Sequence, residues 1–209
     1  MGKQEDFLTI FKAVEKKLGK DTTRLAGEGW PEGWQLVVTT IMSAQSRDET
    51  TILIAEGLFK RFPTLERLAR ASYKDVLAAL RSLNYNKTKA KHILETAKLL
   101  HKSHQGKVPD SIDALLTLPG VGRKTANLVV SELYGKEGIC VDTHVHRISN
   151  VLRLVKTKTP HETELALQKI APKAYWSKIN RLFVLWGKKV PGRDKKKILF
   201  ALKPEKRNS

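Results

Sequence analysis

Two residues eighteen positions apart, Lys124 and Asp142, are of types that could do covalent chemistry together. Lys124 follows the run Leu118-Pro119-Gly120-Val121-Gly122-Arg123 and precedes Thr125-Ala126-Asn127-Leu128-Val129-Val130. Pro119 forbids continuation of a helix, Gly120 and Gly122 permit positive φ and close backbone approach, and the apolar pattern then resumes with helical spacing. The run therefore predicts helix, tight glycine turn, helix. Amides of Gly120, Gly122 and the helix start can point outward together, which suits a phosphate oxygen and reads no base. Lys124 falls in the first turn of the second helix, where the positive end of the helix dipole disfavours an ammonium. That is a poor structural choice and a good place for an amine nucleophile. Asp142 precedes Thr143-His144-Val145-His146, so it can cap the next helix while offering a carboxylate. Taken singly, each has a plainer role, Lys124 as one solvated lysine of a basic protein and Asp142 as a cap alone.

Charge narrows the partner. Thirty-nine Lys and Arg against 21 Asp and Glu give +18 over 209 residues, which favours a polyanion, with nucleic acid ahead of a membrane surface. No apolar run approaches the ~18 residues of a membrane span, and no signal-peptide pattern opens the chain. The expected location is the cytoplasm, at the nucleoid. Cys140 is the single cysteine, which excludes an intrachain disulfide and an all-cysteine metal site. His144 and His146 form His-x-His with no carboxylate triad around them, so no catalytic metal is expected.

The elements that must position these residues are helical. Phe7, Leu8, Phe11, Val14 and Leu18 predict an amphipathic helix over about 6–18, and Trp34 to Met42 reads as a buried helix. A loop from Leu25 to Trp34 separates them, and Ser43-Ala44-Gln45-Ser46-Arg47-Asp48 is the polar exit of the second. Helices follow through Thr51 to Phe59, after Pro63, over Tyr73 to Leu83 and over Thr88 to His101. Asn84-Tyr85-Asn86-Lys87-Thr88 breaks the pattern as an exposed loop, its tyrosine either projecting or folded back on the core. Val108-Pro109-Asp110-Ser111 turns into the first helix of the glycine hairpin. Ile139 to Val141 reads as a short strand, Thr143 to Leu154 as a helix, and Thr159-Pro160-His161-Glu162 as a capping box with proline at N1. Trp176 to Trp186 is the last regular helix.

The segments Leu118 to Asn127 and Val141-Asp142-Thr143-His144, with Ser43-Ala44-Gln45 upstream, resemble the endonuclease III family of helix-hairpin-helix DNA glycosylases, over roughly residues 30–187. The resemblance implies an all-α fold of two helical domains with a DNA-binding cleft between them. A discontinuous terminal domain would comprise residues 1–25 plus 137–209, and a central domain residues 26–136, with Lys124 and Asp142 on facing walls. It also implies a bifunctional DNA glycosylase and AP lyase that acts as a monomer on double-stranded DNA carrying an oxidised pyrimidine or an abasic site. Lys124 would attack C1′, Asp142 would support it, and Gln45, Tyr85, Gly120, Gly122, Arg123, Thr125 and His144 would hold DNA. Gln45 and a wedging side chain fill the hole left by a flipped base in this family, and the wedge position falls on Tyr85, where an apolar residue is usual. A monofunctional mismatch glycosylase and a non-enzymatic DNA-binding protein stay open as alternatives, although the latter leaves Lys124, Asp142 and Gln45 unexplained.

One departure is large. Relatives usually end in a four-cysteine loop that holds a [4Fe-4S] cluster, beginning after the segment that here reads Leu185 to Gly192, and all four cysteines are absent. No cofactor is expected. The C-terminus must be secured otherwise, and Ile198, Leu199, Phe200 and Leu202 are the expected apolar anchors, with Lys188, Lys189, Arg193, Lys195, Lys196 and Lys197 supplying charge for DNA.

Overall fold

The computed structural model describes residues 2–136 and 138–200. They form twelve α-helices: α1 (Lys3–Leu18), α2 (Gly33–Ser43), α3 (Asp48–Arg61), α4 (Leu65–Ala69), α5 (Tyr73–Ala79), α6 (Asn86–Lys102), α7 (Ile112–Leu116), α8 (Arg123–Tyr134), α9 (Thr143–Val151), α10 (Pro160–Ile170), α11 (Trp176–Lys189) and α12 (Lys195–Phe200). No strand occurs among the described residues, so the fold is all-α. The expected strand at Ile139 to Val141 is instead a buried irregular segment. It has no neighbouring strand to pair with, and the carbonyl of Cys140 accepts the side-chain amide of Asn180 at 3.0 Å.

Thr23–Lys136 forms one compact unit, and α1 joins the chain from Gly138 onward in the other. The first unit is built around α2, whose Trp34 to Met42 are all buried, apolar and polar alike. Helices α3, α6 and α8 pack against it. A helix covered on several sides needs apolar residues all round, which is why Leu36, Val37, Val38, Ile41 and Met42 show no polar stripe. Helix α6 lays Ile93, Leu94, Ala97 and Leu100 into the same core and also packs on α4 and α5. The expected helix from Tyr73 to Leu83 stops at Ala79, where the amide of Leu80 bonds to both Val76 and Leu77 carbonyls and tightens the last turn.

In the second unit, α1 and α9 each pack on α11. Phe7, Phe11, Val14 and Leu18 are buried along one stripe of α1, as their spacing predicts, and Phe11 meets Tyr175 at 4.8 Å between ring centroids. Ile179, Leu182, Phe183 and Trp186 form the matching stripe on α11, which runs one turn beyond the expected end. Helix α10 starts as expected, with Thr159 Oγ1 accepting the amide of Glu162 at 3.2 Å. The return half of the capping box differs: Glu162 Oε2 accepts the amide of Lys158 at 2.9 Å, one residue upstream of the cap.

The C-terminal anchoring also departs from expectation. Ile198 is 1% exposed, whereas Leu199 is 37% and Phe200 69% exposed, and Leu202 lies outside the described residues. Successive residues of a helix point about 100° apart, so three in a row cannot share one buried face. Much of the fastening falls to Arg147 of α9. Its guanidinium donates to the carbonyls of Gly187 at 3.1 Å and Val190 at 3.0 Å, and to that of Gly192. These are carbonyls at the end of α11 and just beyond it, which no longer have helical partners to accept from. Burial pulls the Arg147 guanidinium below its usual pKa, partly offset by the negative charge of Asp142.

Arg147→Met keeps most of the stem and removes the charged donors. Charge-assisted hydrogen bonds contribute ~1.5–3 kcal/mol each when intact, so the variant should lose about 2 kcal/mol or more. In a chain of this size that lowers Tm by roughly 4–8 °C. Calorimetry of the two proteins checks this, and an unchanged Tm would show that the C-terminal segment is held without Arg147.

Candidate functional site

The glycine turn is set from both sides. Leu118 and Val121 are buried, the amide of Val121 bonds to the carbonyl of Leu118 at 3.0 Å, and buried Thr96 of α6 donates its hydroxyl to the carbonyl of Pro119 at 2.8 Å. Between these anchors Gly120 stands at φ +80°, where a Cβ would lie 2.9 Å from His92 Nδ1 and 3.1 Å from Ile41. Only glycine suits both the conformation and the space. Gly122 differs from the expectation of a positive φ: it is extended at φ −94°, and open space lies where its Cβ would be. Its value is therefore an unobstructed approach to the backbone at the start of α8.

Gly122 is the N-cap of α8, Arg123 and Lys124 are its first two residues, and both side chains are exposed. The first backbone bond of the helix runs from the Ala126 amide to the Gly122 carbonyl at 2.9 Å, which leaves the amides of the first turn directed out along the axis. Thr125 is only 8% exposed, so its contribution to this surface is its backbone amide more than its hydroxyl. The expected concentration of outward amides, with an exposed lysine at their edge, is thus present.

Asp142 is the N-cap of α9, and its Oδ1 accepts the amide of Val145 at 2.8 Å. The capping role predicted for it is filled while the residue stays partly exposed, leaving carboxylate surface for other work. His144 is not a loose surface histidine. Its ring lies over Gly187 of α11, where an added Cβ would sit 2.4 Å from Nδ1. His146 is occupied structurally, with Nδ1 hydrogen-bonded to Thr163 Oγ1 at 2.7 Å. The pair is thus split between two jobs, and the described residues contain no group of three or more His, Cys, Asp or Glu able to hold a metal.

Gln45 and Tyr85, forty positions apart, are brought together through their loops. Both have positive φ, 53° and 55°, and both are exposed, Tyr85 by 65%. The side-chain amide of Asn84 donates to the carbonyl of Gln45 at 3.0 Å. The tyrosine therefore projects and is not folded back. Sequence reasoning missed Asn84, Gly187 and Arg147 as fixtures of these sites. It also missed Lys89, although that residue falls on the apolar face of α6 with Ile93 and Ala97 and is only 5% exposed.

The [4Fe-4S] cluster of the resembled family does not fit this chain. Its single cysteine, Cys140, is buried beside Asn180, and the α11 exit where a cysteine loop would begin is bound by Arg147.

Comparison with known proteins agrees with the geometry. Residues 38–173 match the family model described as HhH-GPD superfamily base excision DNA repair protein. The endonuclease III of Thermotoga maritima is 41% identical over 157 residues, 75% of this chain and 74% of the relative. That of Synechocystis is 36% identical over 157 residues, 75% and 72% of the respective chains. Among solved structures, a trapped endonuclease III–DNA covalent intermediate superposes with a TM-score of 0.83 at 29% identity, covering 90% of this chain and 88% of that one. A helix-hairpin-helix turn locked by Gly120, an exposed lysine at the start of α8 and these matches lead to one conclusion: the chain belongs to the HhH-GPD superfamily of base excision DNA repair proteins, as an endonuclease III homologue.

Proposed function

We propose that the chain is a bifunctional DNA glycosylase and AP lyase that removes oxidised pyrimidines from double-stranded DNA and cuts the strand by β-elimination. The observation that carries this reading is Lys124, an exposed amine at the second position of a helix whose first turn is built to meet a phosphate. The helix dipole disfavours an ammonium at that position, which suits an amine nucleophile. The +18 charge supports a DNA partner. In this reading the protein acts as a monomer, in the cytoplasm at the nucleoid.

The target nucleotide is flipped out of the duplex, at a cost of a few kcal/mol that damage to the base reduces. Gln45 and Tyr85 enter the space it leaves, Tyr85 by stacking. Gly120, Gly122, Arg123 and Thr125 grip the phosphate backbone by amides and charge, and His144 adds a contact beside Asp142. Lys124 Nζ, as the neutral amine, attacks C1′. The C1′–N bond breaks, and the base leaves with the electron pair and takes a proton. Asp142 stabilises the positive charge that develops at C1′ and relays the proton that the lysine loses. Opening of the sugar ring gives an iminium between Nζ and C1′, which acidifies the C2′ protons. Loss of one of them expels the 3′ phosphate from C3′, and water hydrolyses the Schiff base. The products are an unsaturated aldehyde on one end, a 5′ phosphate on the other, and regenerated Lys124.

Lys124→Gln should abolish base release and strand cutting, with duplex affinity reduced less than about threefold, since one charge among 39 basic residues is lost. Gel-based assays on a lesion-bearing duplex with parallel binding titrations decide this. Equal loss of binding would make Lys124 a phosphate contact only.

Asp142→Asn should retain the cap, because an amide oxygen can still accept from Val145. Base release should fall by about a hundredfold or more, and cutting at a preformed abasic site by clearly less, because no glycosidic bond remains to break there. A folded variant with unchanged base release would refute the catalytic role of Asp142.

A further inference from the structure

Lys89 is costly where it stands. It is 5% exposed, lies on the core side of α6, and sits in the opening turn of that helix, against the dipole. Its ammonium has three N–H groups, and its one hydrogen bond among the described residues goes to Ser46 Oγ at 2.9 Å. Burial lowers its pKa below the usual lysine value, as expected for a poorly solvated ammonium. A methionine would fill the same space at lower cost.

The gain is in what the residue joins. Its backbone amide bonds to the carbonyl of Tyr85 at 3.0 Å and closes the first turn of α6 behind that tyrosine. Its side chain reaches Ser46, the neighbour of Gln45, in the loop that leaves α2. One residue thus ties the Tyr85 loop to the Gln45 loop, and the bond from Asn84 to the Gln45 carbonyl is a second tie. Gln45 and Tyr85 are two of only four non-glycine residues with positive φ among those described. Such a conformation is strained for a residue with a side chain and persists only where its surroundings hold it. Two of them, adjacent across a loop pair and both presenting exposed side chains, mark a surface kept in a fixed and strained shape.

We infer that Lys89 is a positioning residue that fastens the Gln45 and Tyr85 loops into a single rigid insert, so that both side chains enter the vacated duplex position together. This rests on the base-flipping function proposed above. A rigid insert pays its ordering cost on folding, before DNA arrives, and that advantage is largest when the flipped base was well paired.

The test uses the 209-residue chain with Lys89→Met and, separately, Ser46→Ala, which breaks the same bond from the Gln45 loop. Single-turnover base release is measured for one oxidised pyrimidine placed opposite its proper partner and opposite a mismatched base. Both variants should lose about tenfold or more on the paired lesion, the range for a hydrogen bond to a charged group, and less than about threefold on the mispaired one. The double variant should lose no more than Lys89→Met alone. In a Lys124→Gln background, 2-aminopurine opposite the lesion should brighten on binding, and adding Lys89→Met should remove most of that rise at saturating protein. Equal losses on paired and mispaired lesions, or additive losses in the double variant, would reduce Lys89 to a general stabiliser and overturn the inference, as would unchanged rates. If Lys89→Met does not fold, Ser46→Ala alone decides by the same ratio. Absence of base release by the unaltered chain would instead overturn the proposed function, and this inference with it.

Discussion

Gly120 is the constraint on which the hairpin of the central unit depends. The turn must reverse between α7 and α8 in a few residues while Leu118 and Val121 stay in the core, and a left-handed residue with no side chain lets it do so. His92 and Ile41 close over the spot where any other residue would place its Cβ. The start of α8, and with it the placement of Lys124, is thereby tied to α2 and α6, the two helices at the centre of the unit's packing. In the proposed reading this fixes the backbone of the nucleophile before substrate arrives, so that ordering is complete on folding.

Helix starts carry the residues to which the proposed function assigns the chemistry. Lys124 sits at the start of α8, Asp142 caps α9, and Tyr85 caps α6 in a left-handed conformation. Each start directs amides outward, and each is held by contacts behind it: Thr96 on Pro119, Gly187 under His144, Lys89 on Ser46. Arg147 extends the pattern by binding the carbonyls at the opposite pole, the end of α11. Where the resemblance implies a cysteine loop and cluster in relatives, a single guanidinium with several acceptors takes over part of the fastening.

What could be read from sequence followed from period and punctuation. The stripe on α1, the buried α2, the proline-opened α10 and the hairpin at Pro119-Gly120 all announced themselves, because apolar spacing and φ requirements are local properties. Lys124 and Asp142 were visible for the same reason, as wrong-charge and capping residues at predicted helix starts. Residues that act across loops were not legible. Asn84 and Ser46 look like ordinary loop polar residues, and nothing local says that one meets Gln45 and the other Lys89. Arg147 reads as one of many basic residues until the end of α11 arrives beside it. Two local signals do mark such fixtures: Lys89 on an apolar helical face, and Gly187 inside the amphipathic α11. The misread strand at Ile139 to Val141 shows the reverse limit, since a short apolar run reports burial without saying whether a partner strand exists.

Reduction traps the covalent bond proposed between Lys124 and the sugar. The protein is incubated with a duplex containing one abasic site in the presence of borohydride, which converts an iminium into a stable amine, and the adduct is digested and sequenced by mass spectrometry. A one-to-one protein–DNA adduct carried on Lys124 is the expected result. No adduct, or one carried on a different amine, would contradict it.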